Sequence, residues 1–182
     1  MWTAGFLAFP LAGLAGTAVG GRVDSPLAAL SGGLACGLVI GPAQALTSRG
    51  RLDPHWWIPA SALGMGVGLL LGAAVVGYRT SLTALVVMGA LTGLTLGIAQ
   101  TVALPSRTSL RWTWALAMPV LWALGWAVTT LGQIDVEQQF TNFGAYGAVT
   151  FSALSGVLLH YLLPYRESVD ARQARTRVEA PS

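Results

Sequence analysis

Charge is the scarcest property of this chain. Only 9% of its 182 residues are Asp, Glu, Lys or Arg, whereas soluble domains carry about 25%. Lysine is absent, and the ten basic residues are arginines at the ends of apolar runs or in the C-terminal tail. They form no basic face and no recognised motif, so the net charge of +3 does not indicate a nucleic-acid partner. Since 54% of the residues are hydrophobic, the composition predicts an integral membrane protein.

The residues of several common chemistries are also missing. Cys36 is the single cysteine, which excludes an internal disulfide and a cysteine-based zinc site. There is no recognised nucleophile motif, no Glu-x-x-His metal pattern and no Walker-type phosphate loop. No charged residue lies within the apolar segments, which argues against a proton-coupled pump. The sequence leans against an enzyme and leaves binding and structural roles open.

What the chain does contain is six apolar segments, each long enough for the roughly 20 residues that a spanning helix needs. We predict an all-α, polytopic membrane helical bundle that occupies residues 1–165. The predicted spans are Trp2–Gly20, Pro26–Thr47, Trp57–Gly77, Leu82–Leu104, Trp112–Leu131 and Phe143–Leu163. The first segment has one alternative interpretation, a cleaved signal peptide, but no basic residue precedes its apolar stretch.

Arginines are distributed unevenly between the two ends of these spans. One side carries Arg49, Arg51, Arg107, Arg111, Arg166, Arg172, Arg175 and Arg177. The other side carries Arg22 and Arg79, together with Asp24, Asp135 and Glu137. Cytoplasmic loops hold the excess of basic residues in membrane proteins. The pattern therefore predicts a multi-pass protein of the cytoplasmic (inner) membrane with both termini in the cytoplasm and residues 166–182 as a flexible tail.

Spans two and three resemble spans four and five at an offset of 56 residues. The matches are Gly33 with Gly89, Leu38 with Leu94, Gly41 with Gly97, Ala43 with Ala99, Gln44 with Gln100, Arg51 with Arg107, and Trp56 with Trp112. We predict a repeat of two-helix hairpins, at about residues 26–77 and 82–131. The copies are parallel rather than inverted, because an offset of two spans preserves their direction.

Glycines recur at four-residue spacing in spans two, three and four. Examples are Gly33, Gly37 and Gly41 in span two. Small residues along one stripe let helix backbones approach closely. The stripes therefore predict a compact bundle with little room for a wide aqueous pore.

Gln44 and Gln100 are the most informative polar residues, since each lies in an apolar helix about one turn from its cytoplasmic end. An amide in hydrocarbon needs hydrogen-bond partners. One interpretation is that the two amides converge on a ligand. The other is that they join helices to one another, an interaction worth about 1 kcal/mol or less.

The two histidines, His55 and His160, lie near the cytoplasmic ends of spans three and six. Neutral imidazoles on one side of the membrane could share a haem, or one of them could bind a chlorophyll-type pigment. The alternative is two interfacial histidines that contact headgroups and aromatic rings.

Tryptophan is abundant, and five of the seven residues lie near predicted span boundaries. Trp2, Trp56, Trp57, Trp112 and Trp114 are predicted to form an aromatic belt. Trp122 and Trp126 lie four residues apart inside span five and so share one face. They could stack on a carotenoid, a quinone or a lipid tail, or they could fill space between helices.

These observations favour a non-catalytic subunit of a larger membrane complex, in which lipid or pigment could lie between the helices. The partners are then membrane lipids and another membrane protein or a second copy of the chain. The alternative is a small-molecule-binding membrane component of a transporter.

Overall fold

The structure, a computed structural model, describes residues 2–106, 108, 110–133 and 141–163. A short 3-10 helix, Trp2–Leu7, runs into the first α-helix. The α-helices are α1 (Ala8–Gly20), α2 (Pro26–Thr47), α3 (Pro54–Val75), α4 (Leu82–Ala103), α5 (Trp112–Leu131) and α6 (Ala145–Leu162). With the 3-10 turn counted into the first, all six are long and apolar enough to cross a membrane. Within the described residues the structure is all-helical, and the predicted number of helices long and apolar enough to span a membrane is confirmed. These six helices indicate a multi-pass membrane protein.

The helix ends follow local capping chemistry. Ser25 and Ser81 accept hydrogen bonds from the backbone in the first turns of α2 and α4. Helix α3 begins three residues before the predicted Trp57, because Asp53 accepts a hydrogen bond from the His55 backbone N–H and Pro54 suits the first helical position. Apolar patterning does not register such a cap, and this explains the misplaced boundary.

Consecutive helices pack against one another from α1 through to α6. The 3-10 helix at the N-terminus packs on both α6 and α2, so the row of helices closes into a ring. Many large apolar side chains face outward from this ring, among them Leu46, Leu116 and Val102, which are 80%, 76% and 72% exposed. A membrane-embedded protein presents such a surface to lipid or to another subunit.

The glycine stripes face the next helix along the chain, as the sequence predicts. A Cβ added at Gly37 would lie 2.5 Å from Ala62 Cα, and one added at Gly72 would lie 2.7 Å from the Met88 carbonyl oxygen. A Cβ added at Gly93 would lie closer still to the Met118 carbonyl oxygen. Each glycine stripe therefore lets the backbone of the next helix pack directly against its own helix, in the pairs α2 with α3, α3 with α4 and α4 with α5.

Candidate functional site: a buried glutamine–tryptophan network

The two glutamines predicted to matter lie at equivalent points of α2 and α4. Gln44 is three residues before the end of its helix at Thr47, and Gln100 is three residues before Ala103. Both are buried, with exposed fractions of 4% and 0%. Close packing through the glycine stripes brings these helix ends together around α3.

The two amides bind each other. Gln100 Nε2 donates to Gln44 Oε1 at 3.2 Å and to Ser61 Oγ of α3 at 2.9 Å. Trp57 Nε1 donates to Gln44 Oε1 at 3.0 Å, and Trp114 Nε1 donates to Gln100 Oε1 at 3.1 Å. Four helices, α2 to α5, are therefore joined by side-chain hydrogen bonds in an apolar interior.

Three tryptophans that were assigned to the aromatic belt belong to this interior instead. Trp2, Trp57 and Trp114 are 6%, 0% and 0% exposed, so the belt prediction is wrong for them. A buried indole N–H usually finds a partner, and the glutamines supply the partners of Trp57 and Trp114. Trp56 and Trp112 are 69% and 55% exposed, as the belt prediction requires.

Trp2, which lies in the 3-10 helix that runs into α1, extends the network to α6. Its Nε1 donates to Ser155 Oγ of α6 at 3.0 Å, and its ring meets Trp114 edge-on at a centroid distance of 6.4 Å. The Trp57 and Trp114 rings lie 6.0 Å apart. We refer to this set as the glutamine–tryptophan hub; its members are Gln44, Gln100, Ser61, Ser155, Trp2, Trp57 and Trp114.

The hub satisfies most of its own polar atoms. Gln100 uses both amide N–H groups and its carbonyl oxygen, and Gln44 Oε1 accepts two hydrogen bonds. Within the described residues, Gln44 Nε2 is the one amide nitrogen of the pair that donates no hydrogen bond. The two amides join helices to one another, as the second interpretation expects, whereas their convergence on a ligand stays a prediction.

Trp122 and Trp126 pack into a separate aromatic cluster. Both are 1% exposed. Phe143 lies 4.8 Å from Trp122 and 6.2 Å from Trp126, measured between ring centroids, and Phe151 lies 5.8 Å from Trp122. The protein's own rings cover these two tryptophans, so stacking a carotenoid on them would require a phenylalanine to move. Pigment binding here stays a prediction.

His55 and His160 are both exposed. His160 packs its ring against Tyr161 at 5.8 Å, and no hydrogen bond or ring contact joins it to His55. In the part of the chain that the structure describes, no three His, Cys, Asp or Glu side chains are grouped to hold a metal ion. Ligation of a haem or a chlorophyll-type pigment by either histidine stays a prediction.

Sequence reasoning missed a second polar cluster between the start of α6 and α1. Asn142 Nδ2 donates to the Phe9 carbonyl at 2.9 Å, and Cys36 Sγ donates to the Ala12 carbonyl at 3.0 Å. Asn142 stands just before an apolar run, and its partner is a backbone carbonyl, which every residue carries. Its position in the sequence is therefore a weak indication of a buried polar contact. Several predicted charges lie outside the described residues: Asp135, Glu137, Arg107 and the arginines from Arg166 onward.

Comparison with protein-family models, curated proteins and solved structures finds no match to this chain. A functional proposal therefore depends on the geometry itself. Its main elements are the hub, the aromatic cluster and the apolar exterior.

Proposed function

We propose that the protein is a non-catalytic subunit of a larger membrane complex, in which it serves as a compact helical module. The observation that carries this proposal is the hub, in which buried polar side chains bind one another across the helices. Such a network holds helices in one arrangement. The exposed apolar faces then supply the surface that a partner subunit, a second copy or lipid would cover.

A small-molecule-binding component of a transporter is the second candidate. One observation favours it, namely that Gln44 Nε2 donates no hydrogen bond to any of the described residues. A bound polar molecule would satisfy this donor. Binding at that atom would leave the rest of the hub intact.

We further propose that α2–α3 and α4–α5 are parallel repeats of one hairpin. In support, Gln44 accepts a hydrogen bond from Trp57, and Gln100 accepts one from Trp114. The two glycines Gly37 and Gly93 also make equivalent close contacts, Gly37 with Ala62 and Gly93 with Met118, and in both pairs the partner lies 25 residues further on. The first helices of the two hairpins, α2 and α4, correspond at an offset of 56 residues, as Gln44 and Gln100 do. The tryptophans that donate to these glutamines, Trp57 and Trp114, are 57 residues apart. The sequence match of Trp56 with Trp112 is thus one residue out of step with the hydrogen bonds. An experimental structure in which the hairpins fail to superpose by rotation about the membrane normal would refute the repeat.

The proposed orientation places both termini in the cytoplasm of a cell with an inner membrane. Its support is the arginine distribution, since Arg49 and Arg51 follow α2 whereas Arg79 follows α3. A C-terminal fusion to green fluorescent protein should fluoresce, and the matching fusion to alkaline phosphatase should be inactive. Active phosphatase with a dark fluorescent fusion would reverse the orientation.

The complex is tested by purifying the tagged chain from its native host in mild detergent, with mass spectrometry and visible absorbance measured together. We expect at least one other membrane protein at fixed stoichiometry. A chain that purifies alone with a tightly bound small molecule would contradict the subunit proposal and support the transporter component. Colour that disappears in His55→Ala or His160→Ala would establish the haem or pigment hypothesis.

A further inference from the structure

We propose that the loop between α2 and α3 binds phosphatidylethanolamine, with the headgroup over Arg51 and Asp53 and the acyl chains in the two grooves that flank the loop. This inference goes beyond the proposed complex, because it concerns the isolated chain and holds whichever partner is present. It combines cavity shape with the arrangement of charge.

Two grooves meet at this loop. The first has a volume of about 420 Å³ and is apolar, lined along α2 and α3 by residues such as Pro42, Leu46 and Ile58. The second has a volume of about 830 Å³ and runs from the loop to the end of α4, where Val102 and Leu104 line it. Both grooves share Gly50, Leu52 and Pro54. A molecule with one polar head and two apolar chains matches this forked shape.

Arg51 supplies an anchored phosphate-binding group. Its Nε donates to the Ser48 carbonyl at 3.0 Å and its Nη1 donates to the Leu163 carbonyl at 3.3 Å. Contacts with the described residues use two of the five guanidinium N–H groups, and three of them make no hydrogen bond within that part of the chain. A guanidinium held in place loses less freedom when it binds a phosphate, which it can contact through two parallel hydrogen bonds.

Asp53 makes the groove selective for a headgroup that also carries an ammonium. The carboxylate lines the same groove as Arg51, and one of its oxygens accepts from the His55 backbone N–H at 3.0 Å. Arg51 and Asp53, both in the described part of the chain, form no ion pair with each other. Trp56, 69% exposed, lines the groove as well, and tryptophan rings attract cations. Among the described residues that line this groove, the one positive and one negative group match a phosphate joined to a primary ammonium better than they match phosphatidylglycerol.

The test is native mass spectrometry of the full chain in detergent with phosphatidylethanolamine, phosphatidylglycerol or phosphatidylcholine of identical acyl chains. We expect phosphatidylethanolamine to be retained best. Arg51→Gln should weaken the retention of all three lipids by about tenfold, since each loses its phosphate partner. Asp53→Asn should weaken phosphatidylethanolamine most and phosphatidylcholine less, and it should raise phosphatidylglycerol relative to both, while asparagine still caps α3.

Arg79→Gln is the matched control. Arg79 makes the same local contact as Arg51, donating from Nε to the carbonyl three residues earlier, Val76, at 2.8 Å. It does not line either groove. Equal retention of the three lipids, or the same loss in Arg79→Gln as in Arg51→Gln, would overturn the proposal. A preference for phosphatidylglycerol that survives Asp53→Asn unchanged would overturn the headgroup assignment.

Discussion

Replacing Gln100 by leucine will lower the free energy of unfolding by about 2 kcal/mol, within the range for leaving buried polar groups unpaired. Gln100 makes three side-chain hydrogen bonds. Its replacement leaves the Trp114 N–H without an acceptor and removes a donor from Gln44 Oε1 and from Ser61 Oγ. A single interhelical hydrogen bond in a membrane contributes on average less than about 2 kcal/mol. The expected loss is larger because three such bonds are lost together. The free energy is measured by steric trapping or by titration with a denaturing detergent in mixed micelles.

Thr83→Val is the matched control, because Thr83 is exposed on the same helix. It should change the free energy of unfolding by less than about 0.5 kcal/mol. Gln44→Leu should cost less than Gln100→Leu, and the double variant should cost less than their sum because the two residues share a hydrogen bond. If Gln100→Leu changes the free energy of unfolding as little as Thr83→Val does, the hub does not hold the helices together.

Replacing Gly37 by alanine will destabilise the bundle by about 2 kcal/mol, although alanine is the better helix former by about 1 kcal/mol. The added Cβ would lie 2.5 Å from both the Ala62 Cα and the Ser61 carbonyl oxygen. These are backbone atoms of α3, so no rotation of a side chain can relieve the overlap, and α2 and α3 must separate. Separation would also displace Ser61 from its hydrogen bond to Gln100.

The same detergent titration measures this effect, with Gly5→Ala as the control. Among the described residues, a Cβ at Gly5 would meet only Thr47 Oγ1, at an ordinary contact distance of 3.5 Å. Gly5→Ala should therefore leave the free energy of unfolding nearly unchanged. A Gly37→Ala variant as stable as Gly5→Ala would mean that α2 and α3 can repack without the glycine stripe.

The location of the candidate site was predictable only in part. Gln44 and Gln100 are conspicuous in the sequence because amides are rare and costly in apolar helices. Ser61 gave no such signal, since a serine in a glycine- and alanine-rich helix looks like one more small residue. Trp57 and Trp114 were indistinguishable from Trp56 and Trp112, because the position of a residue along a span does not tell which face of the helix it occupies.

By itself, the amino-acid sequence determined the number of apolar helices, most of their boundaries and the close approach along the glycine stripes. Each of these depends on hydrophobicity, length and side-chain size, which are properties of a segment taken alone. The tertiary structure alone decided that the two glutamines bind each other, that three tryptophans turn inward, and that Phe143 covers Trp122 and Trp126. Hydrogen bonds and ring contacts between distant segments depend on how far each helix is rotated about its axis. In a bundle that is apolar on every face, only packing against the neighbouring helices sets that rotation.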